Sequence, residues 1–228
     1  MKTAFILLMS LLALPFAAHA EEILFAAPSG FAEIEGTEAL FAESQKNAVQ
    51  RGRLLKMYLP QYMAHQYRHG NSTLVTRQVL VCSPLAANVP VPPKGAELLA
   101  RSLEGMFMGF ATVPRGRMDT PAQEIEHRQS ALKKSLASGS PLLYSSQRTP
   151  SAWIYTFLIH YNMEGNAGKN FLTTALSCAV LPVKEKVLFI TAGSIMEGND
   201  AQSELEWVRD TAGSFASAIA KVNAPEKK

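Results

Sequence analysis

Trp153-Ile154-Tyr155-Thr156-Phe157-Leu158-Ile159-His160-Tyr161-Asn162-Met163 alternates with a period of two. Its odd positions form an unbroken apolar and aromatic face. Its even positions begin apolar and turn polar at His160 and Asn162. The pattern predicts a strand with the odd face buried fully and the even face in part. Glu164-Gly165-Asn166-Ala167-Gly168-Lys169 reads as a turn, because Gly and Asn accept the positive φ of a tight reversal. A second strand follows over residues 171–181 and ends at Pro182-Val183-Lys184-Glu185. The third, residues 187–192, is a short continuous apolar run suited to cover on both faces. Past Gly198 the period becomes helical. Leu205, Val208, Ala212, Phe215, Ile219 and Val222 step by three and four along one face. Asn199 or Asp200 can cap this helix, and Lys221 near its end suits the helix dipole.

Working outward, residues 23–27 and 31–34 read as short strands split by Pro28-Ser29-Gly30, and residues 37–50 as irregular or weakly helical. A strand over 53–59 is stopped by Pro60. A short helix or turn covers 61–69, and residues 73–82 form a clearer strand. Prolines 90, 92 and 93 mark a surface linker into a helix over 95–108, and residues 113–118 form a basic loop. Thr120-Pro121 opens a mostly polar helix reaching about residue 137, expected on the outside of the molecule. A further strand spans 142–147. The order predicts an α+β fold, a mostly antiparallel sheet with helices packed on both faces.

The chain opens with Lys2, an apolar run and Ala18-His19-Ala20, the pattern of a secretory signal peptide cleaved after Ala20. The run is shorter than the roughly 20 residues that cross a bilayer. Residues 1–20 are thus expected to be removed, leaving 21–228 as a single periplasmic or secreted domain of a bacterium, with no transmembrane segment. Two cysteines in an exported chain allow one pairing, Cys82 with Cys178; a disulfide and two buried thiols both remain open.

The net charge of +3 is unevenly spread. Residues 21–50 hold six Glu and one Lys, and residues 185–210 hold six acids and two bases. Residues 51–117 hold nine bases against Glu97 and Glu104. That basic region could face an anionic component of the cell envelope, or pair with the protein's own acids. Met57, Tyr58, Tyr62, Met63 and Tyr67, with the arginines around them, form a candidate docking surface. Its candidate binding residues are Arg53, Tyr62, His65, Arg68 and His69.

Phosphate-cradling glycine motifs, a G-x-S-x-G elbow, H-E-x-x-H and C-x-x-C are all missing, so nothing implies a cofactor, and no nucleic-acid partner is expected. His65 and His69 stand at i and i+4, which brings two imidazoles to one helix face; they are a candidate for a divalent metal. His160 is a candidate general base for a hydrolase or a hydrogen-bonded sheet histidine. His127, beside Glu124 and Glu126, fits a solvated helix face. The leading expectation is a non-enzymatic binding or accessory protein of the envelope.

Three features resemble the PsbP/Mog1-like α/β/α sandwich: Phe25-Ala26-Ala27-Pro28-Ser29-Gly30-Phe31 as an opening strand and turn, the long hairpin into residues 187–192, and the closing amphipathic helix over residues 200–222. The resemblance implies that sandwich fold and an accessory or binding role. It supplies no shared catalytic motif.

Overall fold

A computed structural model describes residues 22–48, 52–70, 74–83, 93–106, 111–112, 121–162, 171–196 and 200–225. The expected signal peptide, the basic loop at 113–118 and the turn at 164–169 lie outside these residues. The strands are β1 (Phe31–Ile34), β2 (Arg53–Pro60), β3 (Arg77–Ser83), β4 (Ala111–Thr112), β5 (Leu142–Arg148), β6 (Trp153–Asn162), β7 (Phe171–Val183) and β8 (Lys186–Ile195). The helices are α1 (Ala39–Ala48), α2 (Gln61–Arg68), α3 (Pro93–Met106), α4 (Pro121–Ser138) and α5 (Ala201–Val222). One sheet carries all these strands in the order β1-β2-β3-β8-β7-β6-β5-β4. Every pairing is antiparallel except that of β4 with β5. Among the described residues no helix is long and apolar enough to cross a membrane.

The pleat sorts the sheet into two faces. On one face Val79, Val81, Ile154, Leu158, Ala175, Ala179, Leu181, Leu188, Ile190 and Ala192 pack beneath Leu205, Val208, Ala212, Phe215 and Ile219 of α5. Leu132 of α4 joins the same core. On the other face Tyr155, Phe157, Val180 and Val187 meet Leu99 and Ala100 of α3. Farther along that face Ile34, Met57 and Leu59 pack against Met63 and Ala64 of α2 and Leu40 and Phe41 of α1. The α+β fold with helices on both faces is therefore as expected.

The balance between the faces of β6 is the reverse of the one expected. Ile154, Thr156 and Leu158 on the even face are almost wholly buried, whereas Tyr161 on the aromatic face is 44% exposed. Size explains the difference. Ala175, Ser177, Ala179 and Ala192 present little bulk beneath α5, so the helix settles close to the sheet. A Cβ placed on Gly213 of α5 would lie 3.2 Å from Ile154 Cδ1. The hydroxyls on this face are mostly bonded within the sheet: Ser177 Oγ donates to the Tyr155 carbonyl and lies 3.2 Å from Thr156 Oγ1.

Three other local expectations change. Residues 22–28 form no strand; Asn223, just past α5, clips them instead, accepting from Leu24 N at 2.9 Å and donating to Leu24 O at 2.7 Å. Residues 39–48 form a helix outright, anchored by tertiary bonds: Gln45 Oε1 accepts from Leu54 N, and Tyr67 Oη accepts from Leu40 N. The strand expected from residue 73 begins at Arg77. At α5, Asp200 is the cap, its side chain accepting from Ser203 N at 3.0 Å.

Candidate functional site

Helix α2 follows Pro60 directly, so β2 feeds into it without a loop. Its eight residues divide by the helical period. Met63 and Ala64 are buried and Tyr67 is half-buried, while Tyr62, His65, Gln66 and His69 face solvent. The inner side anchors the outer one. Arg68 donates to Glu38 Oε1 at 2.9 Å and to the Glu33 carbonyl at 2.8 Å, tying the end of α2 to β1 and to the turn before α1. That ion pair holds the Glu38 carboxyl below the usual carboxylate range, through its bond to Arg68 first.

On the outer side the His65 and His69 rings stack, with centroids 4.1 Å apart and planes 19° from parallel. His69 Nδ1 lies 2.8 Å from the His65 carbonyl oxygen. A carbonyl only accepts, so Nδ1 carries the proton and, in the neutral ring, the Nε2 lone pair points away from the backbone. Tyr62 is 55% exposed and shares this face.

The candidate binding residues do not all gather here. Tyr62, His65 and Arg68 share α2 and His69 caps its end, but Arg53 begins β2, seven residues before the strand ends at Pro60. At about 3.3 Å per residue that is more than 20 Å of strand. The Met/Tyr docking surface also shrinks. Met57, Tyr58 and Met63 are core residues, and Tyr67 turns inward to accept from Leu40 N, so Tyr62 alone of the five is exposed. Burial, with Glu33 adding to it, pushes the Tyr58 hydroxyl up to about 12. The expectation failed because β2 is covered on both faces: Met57 packs with Met63 and Ala64 of α2, whereas Tyr58 packs against Phe215 of α5.

Among the described residues, four bases of the basic region form internal pairs. Lys56 pairs with Glu33, Arg68 with Glu38, Arg77 with Glu204 at 2.6 Å, and Arg101 with Glu97 along α3. Arg77 is the most embedded. Its guanidinium lies 4.7 Å from the Trp207 ring, and Ser194 donates to the other oxygen of Glu204 at 2.6 Å. Sequence reading did not single out this Arg77–Glu204–Ser194 cluster. A signal existed, because Arg77 shares strand parity with Val79 and Val81, which face α5.

His160 stands on the α5 side of the sheet near its α4 end. Its Nε2 lies 3.0 Å from Ser135 Oγ on α4, and its Nδ1 lies 3.0 Å from Thr173 Oγ1 on β7. A serine beside an imidazole is the geometry of a nucleophile and its base, but the protons run the wrong way. Ser135 donates its single hydroxyl proton to the Ser140 carbonyl at 2.6 Å, so His160 must donate from Nε2, and in the neutral ring Nδ1 accepts from Thr173. Ser135 is also only 2% exposed. The arrangement fastens the end of α4 to the sheet, and burial lowers the affinity of His160 for a proton. Sequence reading missed Ser135, which lies in a polar helix 25 positions away.

Cys82 and Cys178 are not joined. Cys82 sits opposite Phe189 and Cys178 opposite Thr191, so β8 runs between them. Two strand spacings come to nearly 10 Å, beyond the roughly 7 Å that a disulfide spans between Cα atoms. His127 is exposed, as expected. Among the described residues no group of three or more His, Cys, Asp or Glu side chains could hold a metal.

Compared with known proteins, the sequence matches no family model and no curated protein.

Proposed function

We propose that this protein is an exported, non-catalytic binding component of the bacterial cell envelope that docks through the outer face of α2. The observation carrying this reading is the exposure of Tyr62, His65 and His69 on a helix anchored from beneath by Met63, Ala64 and Tyr67 and at its end by the Arg68–Glu38 ion pair. An anchored helix presents its side chains at low entropic cost, and tyrosine is prominent among the residues that dominate interfaces. Lys2, the apolar run and Ala18-His19-Ala20 support export. The likeness to the PsbP/Mog1 sandwich, with its accessory proteins, belongs to the same proposal. Because Lys56, Arg68, Arg77 and Arg101 pair internally, shape and aromatic contact weigh more in this docking than charge.

The test is capture of envelope proteins by the chain lacking residues 1–20, compared with Tyr62→Ala and Arg53→Glu. Tyr62→Ala should weaken capture about tenfold, the effect of losing a residue worth roughly 1.4 kcal/mol. Arg53→Glu should change it little, since Arg53 lies at the far end of β2. Capture that survives Tyr62→Ala and collapses with Arg53→Glu would overturn the reading in favour of a basic face.

A further inference from the structure

We propose that His65 and His69 form an open, two-imidazole site for a divalent transition metal, with Cu(II) the preferred ion. The inference is independent of the docking reading, since the site belongs to the isolated chain. Two features beyond the i,i+4 spacing carry it. The first is the ring geometry. The two imidazoles already lie side by side and nearly parallel, 4.1 Å between centroids, on the exposed side of α2. Metal–nitrogen bonds of about 2 Å ask only for an edgewise tilt of rings that stand in solvent.

The second feature is the bond from His69 Nδ1 to the His65 carbonyl. A histidine ligand generally donates its second ring nitrogen to a carbonyl or carboxylate, which fixes the tautomer and raises the basicity of the nitrogen that binds the metal. Here that supporting bond exists within one helical turn. The same carbonyl sets the direction of the ring and leaves Nε2 of His69 as the ligand atom.

The neighbouring cation does not oppose the metal. Arg68 spends its guanidinium on Glu38 and on the Glu33 carbonyl, toward α1 and β1, and Glu35 adds further negative charge on that side. Two protein nitrogens leave the remaining positions to water or to a ligand from outside. That donor set is too small for the closed tetrahedral site of structural zinc. It suits the tetragonal nitrogen and oxygen environment of Cu(II), which also stands highest in affinity among first-row divalent ions.

The experiment titrates Cu(II) into untagged protein lacking residues 1–20, read by calorimetry and electron paramagnetic resonance, beside His65→Ala, His69→Ala and His127→Ala. These residues are exposed, so their substitution should leave the fold intact, which circular dichroism checks. One equivalent should bind with a tetragonal spectrum showing coupling to two imidazole nitrogens. Affinity should fall about tenfold or more in His65→Ala and in His69→Ala, stay unchanged in His127→Ala, and exceed that for Zn(II). Binding should weaken on acidification, because protons compete for both ring nitrogens. A spectrum and affinity unaltered by His65→Ala and His69→Ala would place copper elsewhere and overturn the proposal. No measurable binding to the unsubstituted chain would do the same.

Discussion

At His160 a single proton count separates a structural role from a catalytic one. The Ser135 hydroxyl has one hydrogen, and the Ser140 carbonyl takes it. The imidazole therefore donates to Ser135 from Nε2, and in the neutral ring its Nδ1 accepts from Thr173. Burial favours the same neutral form, so the folded protein holds His160 below its ordinary affinity for protons. The sign of the linkage follows. Between the depressed folded value and the unfolded value of about 6.5, the unfolded chain binds more protons. The contribution of His160 is thus complete above about pH 6.5 and is lost as pH falls through the folded value. Melting temperatures of the wild type and His160→Gln, measured from pH 8 down to pH 4.5, should converge as the solution is acidified, with the gap widest above pH 6.5. A gap that stays constant across the range would show that the hydrogen bonds to Ser135 and Thr173 survive protonation and that burial does not govern this residue.

The β7–β8 turn shows what an element's sequence hides. Val183 pairs with Lys186, so the reversal is made by Lys184 and Glu185 alone, with φ of 46° and 58°. Two consecutive left-handed residues are the hairpin geometry that Asn-Gly favours, and each ordinary residue there costs about 1 kcal/mol. Lys184 offsets part of this by donating to the Glu22 carbonyl at 2.9 Å, and Glu185 carries the same left-handed cost. Glu185→Gly should therefore raise stability by about 1 kcal/mol and the melting temperature by about 2–4 °C. A fall in melting temperature would mean that the strands, rather than the turn, set the strain. Sequence reading placed the reversal correctly, because Pro182 and the change of pattern mark it, but Lys-Glu carries no left-handed signature. The same division holds elsewhere. β6 and α5 are legible because their periods are long, and β8 because its apolar run is continuous, though it extends past residues 187–192 to Lys186–Ile195. α1 is not, since Gln45 and Tyr67 secure it through tertiary bonds rather than a strong pattern of its own. Of the sites, the His65–His69 pair follows from spacing alone, while Ser135 reaches His160 only once α4 lies on the sheet.

At the scale of the molecule, three of the segregated charges on each side are partners. Glu33 and Glu38 come from the acidic opening segment and Glu204 from the acidic segment near the end; they neutralise Lys56, Arg68 and Arg77 between them in sequence. These pairs cross from β1 to β2, from the turn before α1 to α2, and from β3 to α5, so charge as well as core joins remote parts of the chain. Eight strands in one sheet, with cores on both faces sharing β6, β7 and β8, should then unfold as a unit. The two tryptophans test this from opposite sides. Trp207 on α5 packs against Arg77 and Phe31, whereas Trp153 belongs to the core beneath α3. Trp153→Phe leaves Trp207 as the only tryptophan, and Trp207→Phe leaves Trp153. In each variant the denaturation midpoint read by fluorescence should coincide with that read by far-ultraviolet circular dichroism, whatever the shift caused by the substitution. Adding Phe215→Ala, which empties a side chain packed between Phe31 and Tyr58, should lower both midpoints together, at a cost of about 3–5 kcal/mol. If Trp153 kept its midpoint while Trp207 melted early, the α5 layer would be a separate folding unit. The internal ion pairs would then stitch two units together rather than close a single one.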